Sequence, residues 1–164
     1  MTLCRGHARR EPATYRLELP RWDRRDLRGR REVWEVLHAN QRGGRHWGRR
    51  QRVTNHVITT VATLARNAGV PASDHLIVEL VWAPERANRA RDADNLWPLL
   101  KVCCDALARG PAKRTRGRPG LDLVPDDTPA WMTKRSPRIA DPDDHDPGLW
   151  LYVTSQPGAT MRET

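Results

Sequence analysis

Phenylalanine is absent from this 164-residue chain and tyrosine occurs twice, so aromatic packing falls mostly to seven tryptophans. No stretch approaches the roughly 18–20 consecutive apolar residues that span a bilayer, which argues against a transmembrane segment. The opening "MTLCRGHARREP" carries charge with no apolar stretch behind it and does not read as a signal peptide. The three cysteines, Cys4, Cys103 and Cys104, are an odd number with one adjacent pair, which is no disulfide framework. No CxxC or HxxxH spacing offers a zinc site. Cys103 and Cys104 fall in a helical pattern and read as core-facing thiols of a cytoplasmic protein.

Negative charge is also scarce. Twenty Asp and Glu stand against 29 Lys and Arg, a net charge of +9, and most of the cations are arginine. Arginine holds its charge at any physiological pH and offers a planar fork of donors that matches phosphate. A pI near 10.6 therefore points first to a polyanionic partner, most simply nucleic acid. A basic composition can also reflect a high-GC genome, in which arginine codons are frequent.

The length suits one domain. "TYRLELP" alternates and predicts a first strand. An Arg-rich stretch follows, with a short helix possible near Arg31–His38, then a loop at Gly43 and Gly44. Val53, Val57, Val61, Leu64, Ala65 and Ala68 paint one helical face, which Gly69 and Pro71 terminate. "HLIVELVWAP" is almost continuously apolar and reads as a central strand buried on both faces. A second helix follows, then a basic Gly/Pro-rich loop, a weak strand in "WMTKRSPRI", an acidic loop and a last strand in "LWLYVTS". The order β-α-β-α-β-β predicts an α+β domain, a mixed sheet packed with two main helices. Its expected bounds are residues 14–153, between a flexible basic N-terminus (1–13) and a flexible tail (154–164).

The scarce acids are not scattered. In "RDADNLWPLLKVCCDALARGP", Asp92 and Asp94 lie between the central strand and a helix predicted to start near Pro98. Residues two apart in extended backbone face the same side. Two carboxylates that close repel unless a cation sits between them. Mg²⁺, an oxygen-seeking ion commonly held by one or two carboxylates, is the natural candidate. The spacing equally allows a helix cap, with Asp94 capping and Asp92 paired to Arg89 or Arg91. A second pair, Asp126 and Asp127 in "GLDLVPDDTPAW", reads alone as an Asp-rich turn.

Taken in order, "RDADN", "LKVCCDAL" and "VPDD" resemble the RusA-like Holliday junction resolvases of phages and prophages, across roughly residues 14 to 153. "HANQRGGRHW" looks like the Asn/His-rich segment usual upstream in that family. The resemblance implies a Mg²⁺-dependent homodimer, with no small-molecule cofactor, that nicks opposing strands of a four-way DNA junction in the bacterial cytoplasm. It implies that Asp92, Asp94 and Asp127 hold the metal, with Asp126 beside the third, and that Lys101 is the catalytic lysine. Two departures stand out. The lysine follows the second aspartate by seven residues where the family has four, and a basic insert, "RGPAKRTRGRPG", precedes the second acidic pair. A dimer also suits the reaction, since a two-fold protein matches a two-fold junction.

Candidate DNA contacts are Arg89 and Arg91 beside the acidic pair, His46, Trp47, Arg49 and Arg50 in "HWGRR", Arg114 and Arg116 in the basic loop, and Lys134. "DPDDHDPG" reads as a solvated loop. An EF-hand fails there, because its sixth and twelfth positions are Asp146 and Tyr152 rather than Gly and Glu. Two rival functions remain open at this point, a non-catalytic basic DNA-binding protein and a metal nuclease for flaps or other branched DNA.

Overall fold

Alternation builds the sheet. In the computed structural model, which describes residues 11–23, 30–37, 47–85, 92–108 and 120–156, the longest strands are β2 (His75–Ala83) and β5 (Gly148–Gln156). They pair antiparallel along their whole length, and β1 (Ala13–Leu19) adds antiparallel to the other edge of β5. The free edge of β2 takes two short parallel strands in succession, β3 (Met132–Lys134) and β4 (Arg138–Ile139). The result is one α+β domain on a mixed sheet of five strands. "WMTKRSPRI" therefore forms two strands rather than one. Pro137, which brings no N–H to a ladder, stands immediately before β4.

Leu17 and Leu19, then Leu76, Val78, Leu80 and Trp82, then Leu149, Leu151 and Val153, share one buried face of this sheet. Among the described residues three α-helices accompany it: α1 (Arg30–Val36), α2 (Trp47–Asn67) and α3 (Trp97–Leu107). Val53, Val57, Val61 and Ala65 of α2 are buried, as the spacing predicts. The opposite face carries a small second cluster of Val81, Ala83, Ala140 and Trp150. This corrects the expected strand buried on both faces. The first half of β2 alternates buried and half-exposed residues, and only Leu80–Ala83 are covered on both sides, where the second cluster lies.

The α2 helix begins at Trp47, earlier than the apolar spacing indicates, because "GRRQR" holds helix without an apolar stripe. Arg49 Nη2 meets Glu35 Oε2 of α1 at 3.5 Å. The far end stops as expected. Gly69 has φ +70°, and the Val70 N–H reaches back to the Ala65 carbonyl at 3.0 Å, a six-to-one closure.

The α3 helix follows a 3₁₀ turn at Ala93–Leu96, with Pro98 in its first turn where no N–H is needed. Leu99, Leu100, Val102, Cys103, Cys104, Ala106 and Leu107 are buried. Both cysteines are core-facing free thiols, and burial pushes the Cys104 thiol up to about 12. Past the helix, Leu121 N–H donates to the Ala106 carbonyl at 2.7 Å and Leu123 N–H to the Leu107 carbonyl at 2.9 Å. These bonds hold the approach to the second acidic pair against the end of α3.

Gly120 lies where this return begins. A Cβ there would come within 1.8 Å of the Ala108 carbonyl oxygen and 2.7 Å of that of Asp105. Gly120→Ala should therefore destabilise the fold by about 1–3 kcal/mol through forced backbone displacement. Chemical denaturation checks this, and an unchanged midpoint would show that the returning chain is not held so closely.

Candidate active site

Lys101 and Asp105 form the polar stripe of a helix whose other faces are buried, and they are one turn apart. Their side chains pair at 3.3 Å between Nζ and Oδ1. Lys101 Nζ also lies 2.9 Å from Asp127 Oδ2, a residue 26 positions later in the chain. Lys134 Nζ, from β3, approaches the same Oδ2 at 2.5 Å. One carboxylate oxygen thus accepts from two ammonium groups, one from the helix layer and one from the sheet edge. Oδ1 of Asp127 takes part in neither pair.

The local backbone makes this meeting possible. Asp126 Oδ1 accepts from the Asp127 N–H at 2.8 Å, fixing the turn. The N–H groups of Trp131 and Met132 both donate to the Thr128 carbonyl at 2.9 Å. The chain then enters β3, with Met132 opposite Leu76. Asp127 is held between the end of α3 and the start of β3, and Lys134 follows two residues after Met132.

Charge follows contact. Burial pushes the Asp127 carboxyl upward, but the hydrogen bonds from Lys134 and Lys101 outweigh it, so its pKa lies below the usual value. Burial pulls Lys101 downward, but the bond to Asp127 and the charge of Asp105 hold its pKa above normal. Asp105 differs. Its desolvation exceeds the attraction of Lys101, and the proximity of Asp127 adds to it, so its pKa is raised.

Asp92 and Asp94 lie at the other end of the helical run. Asp92, not Asp94, is the cap, accepting from the Asp94 N–H at 2.9 Å. Both residues are exposed, and no described cation pairs with either. Asp94 precedes Lys101 by seven residues, roughly 10 Å of helical rise. Among the described residues no group of three or more His, Cys, Asp or Glu side chains is gathered as metal ligands. The donor chemistry itself, carboxylate oxygens without nitrogen or sulfur, suits a hard cation such as Mg²⁺.

Among the expected DNA contacts, Trp47 opens α2 and is 82% exposed, so it does not pack on the domain. Arg50 is exposed beside it. Lys134 is committed to Asp127. His46, Arg89, Arg91, Arg114 and Arg116 lie outside the described residues, as do Cys4, the Gly43–Gly44 loop and both expected tails apart from a few residues. The acidic loop carries a shallow depression of about 350 Å³ with Arg16, Asp143 and His145 on its walls. Sequence reading did not place Asp105 in the site, although its four-residue distance from Lys101 signals the pair. Nothing in the spacing signals the contact between Lys134 and Asp127. No protein-family model matches the chain, and no curated protein matches it.

The depressed Asp127 pKa has a direction. A carboxylate whose folded pKa is lowered contributes stability that is present above its unfolded value, about 3.9, and lost as pH falls through the folded value. Asp105, raised by burial, runs oppositely: its cost is present at neutral pH and is relieved in acid. Asp127→Asn should therefore lower the thermal midpoint at neutral pH, and its gap to the parent should close below about pH 4. Calorimetry across that range checks the sign, and a gap that widened in acid would contradict it.

Proposed function

We propose that this chain is a Mg²⁺-dependent endonuclease that nicks branched DNA, a four-way junction above all, as a homodimer in the cytoplasm. The observation that carries this reading is the meeting of Lys101 with Asp127. The resemblance to RusA-like resolvases pairs a helical lysine with a later acidic pair, and in this fold those two side chains lie 2.9 Å apart. The basic composition supplies the complementary half, attraction to a phosphate backbone whose strength falls with salt as counterions cease to be a source of entropy.

The division of labour follows from the chemistry of each group. Asp92, Asp94 and Asp127, with Asp126 adjacent, would hold Mg²⁺, which when bound supplies electrophilic assistance and a more acidic water. Lys101 presents a permanent positive charge at the exposed surface of α3. Such a charge stabilises a phosphodiester most as negative charge accumulates on it, so its contribution is larger in the transition state than in binding. Asp105 and Asp127 orient that ammonium by accepting from it. Exposed Trp47 and Arg50 offer a stacking surface and a phosphate contact.

That no three such carboxylates gather among the described residues favours a second reading, a basic protein that binds DNA without cutting it. Substitutions tell them apart. Asp94→Asn should reduce nicking of a labelled four-way junction in Mg²⁺ by several orders of magnitude and leave Mg²⁺-free binding intact or slightly tighter, because a repulsive charge is gone. A folded Asp94→Asn protein that nicks at the parental rate would exclude the first reading. Lys101→Ala should slow single-turnover cleavage by about 100-fold or more while changing junction affinity little. A variant that loses affinity and keeps its rate would place Lys101 in binding instead.

A further inference from the structure

The two lysines on Asp127 are not equivalent. Lys101 is 60% exposed in its side chain and has a second carboxylate, Asp105, to which it can turn. Lys134 is 26% exposed, sits on a strand, and has Asp127 as its one ion-pair partner among the described residues. Both ammonium groups occupy Oδ2. A cation brought to this carboxylate meets the repulsion of both. Lys101 has Asp105 to retreat to, whereas Lys134 has no such alternative and stays.

We propose that Lys134 is a latch on the candidate metal site: its ammonium occupies the Asp127 oxygen in place of a divalent cation and sets how readily Asp127 accepts one. This rests on the reading of Asp127 as a metal ligand. It assigns Lys134 to the metal chemistry rather than to the DNA contact expected from the sequence. Lys101, Lys134, Asp105 and Asp127, the four groups in contact, carry no net charge among themselves, so a dication gains nothing from them and meets two ammonium groups at one oxygen. Removing Lys134 leaves those four positions with one net negative charge, which attracts a dication. Lys134 would thus keep the free protein from holding metal tightly, by competition for one oxygen and by like-charge repulsion.

The test uses Mg²⁺ alone, titrated into the full chain without DNA and followed by calorimetry. Lys134→Met keeps the length of the side chain and removes the charge, and should bind Mg²⁺ about fivefold tighter than the parent. Lys134→Gln is carried alongside in case Met disturbs β3, and should tighten binding likewise. Lys134→Arg keeps the charge and should restore the parental affinity, which a merely structural role for the residue would not demand. Asp127→Asn should weaken binding. If Asp127→Asn weakens Mg²⁺ binding while the folded Lys134→Met and Lys134→Gln variants bind as the parent does or more weakly, the latch is overturned and the ligand role of Asp127 stands. If Asp127→Asn leaves the affinity unchanged, Asp127 is not a ligand and the latch falls with it.

Discussion

The carboxylate of Asp127 accepts from two ammonium groups that belong to different layers of the fold, and the candidate site exists only because that contact closes. Lys101 rides on α3, Lys134 on the edge strand β3, and Asp127 on the turn that joins the two regions. Separately these would be an exposed lysine, a strand lysine and an aspartate in a turn, each worth little in water. Together they convert a junction between secondary structures into a polarised surface. The pairs made by exposed Lys101 contribute only about 1 kcal/mol or less to stability, so their main consequence is placement. They fix where a lysine charge sits and which oxygen of a carboxylate remains available.

What allows such a contact is the burial of everything around it. The α3 helix commits seven of its eleven residues to the core. The hydrogen bonds from Leu121 and Leu123 to the end of that helix fix the level at which the second acidic pair returns. Gly120 is required there because backbone approaches too closely for a side chain. The groups of the candidate site are thus mounted on α3, on β3 and on the turn before β3.

Much of this was legible in the residues, for a physical reason in each case. The stripe of Val53, Val57, Val61 and Ala65 announced α2, and Gly69 its end, because helical period and left-handed backbone are local properties. The burial of Cys103 and Cys104 followed from the same period. Elements carried by tertiary pairing were less legible. The strands β3 and β4 are three and two residues long and exist because β2 offers them an edge. The first turn of α2 has no apolar stripe to betray it. Asp92 rather than Asp94 caps the 3₁₀ turn, a choice made by backbone dihedrals that spacing does not specify. Within the site, Lys101 and Asp105 could be paired from their four-residue interval. The lysine at 134 could not, because a turn and a strand entry decide which way it points.

The four carboxylates and two lysines make one functional claim, that a basic surface delivers branched DNA to an acidic, cation-dependent centre. The most direct measurement is a strand-resolved map of the products from a labelled four-way junction, with Mg²⁺ and with chelator, beside a linear duplex of the same sequence. The account predicts paired, symmetrically placed nicks in the junction that need Mg²⁺, with the duplex left intact. A junction that is bound in a salt-dependent manner and never nicked in Mg²⁺ would contradict it.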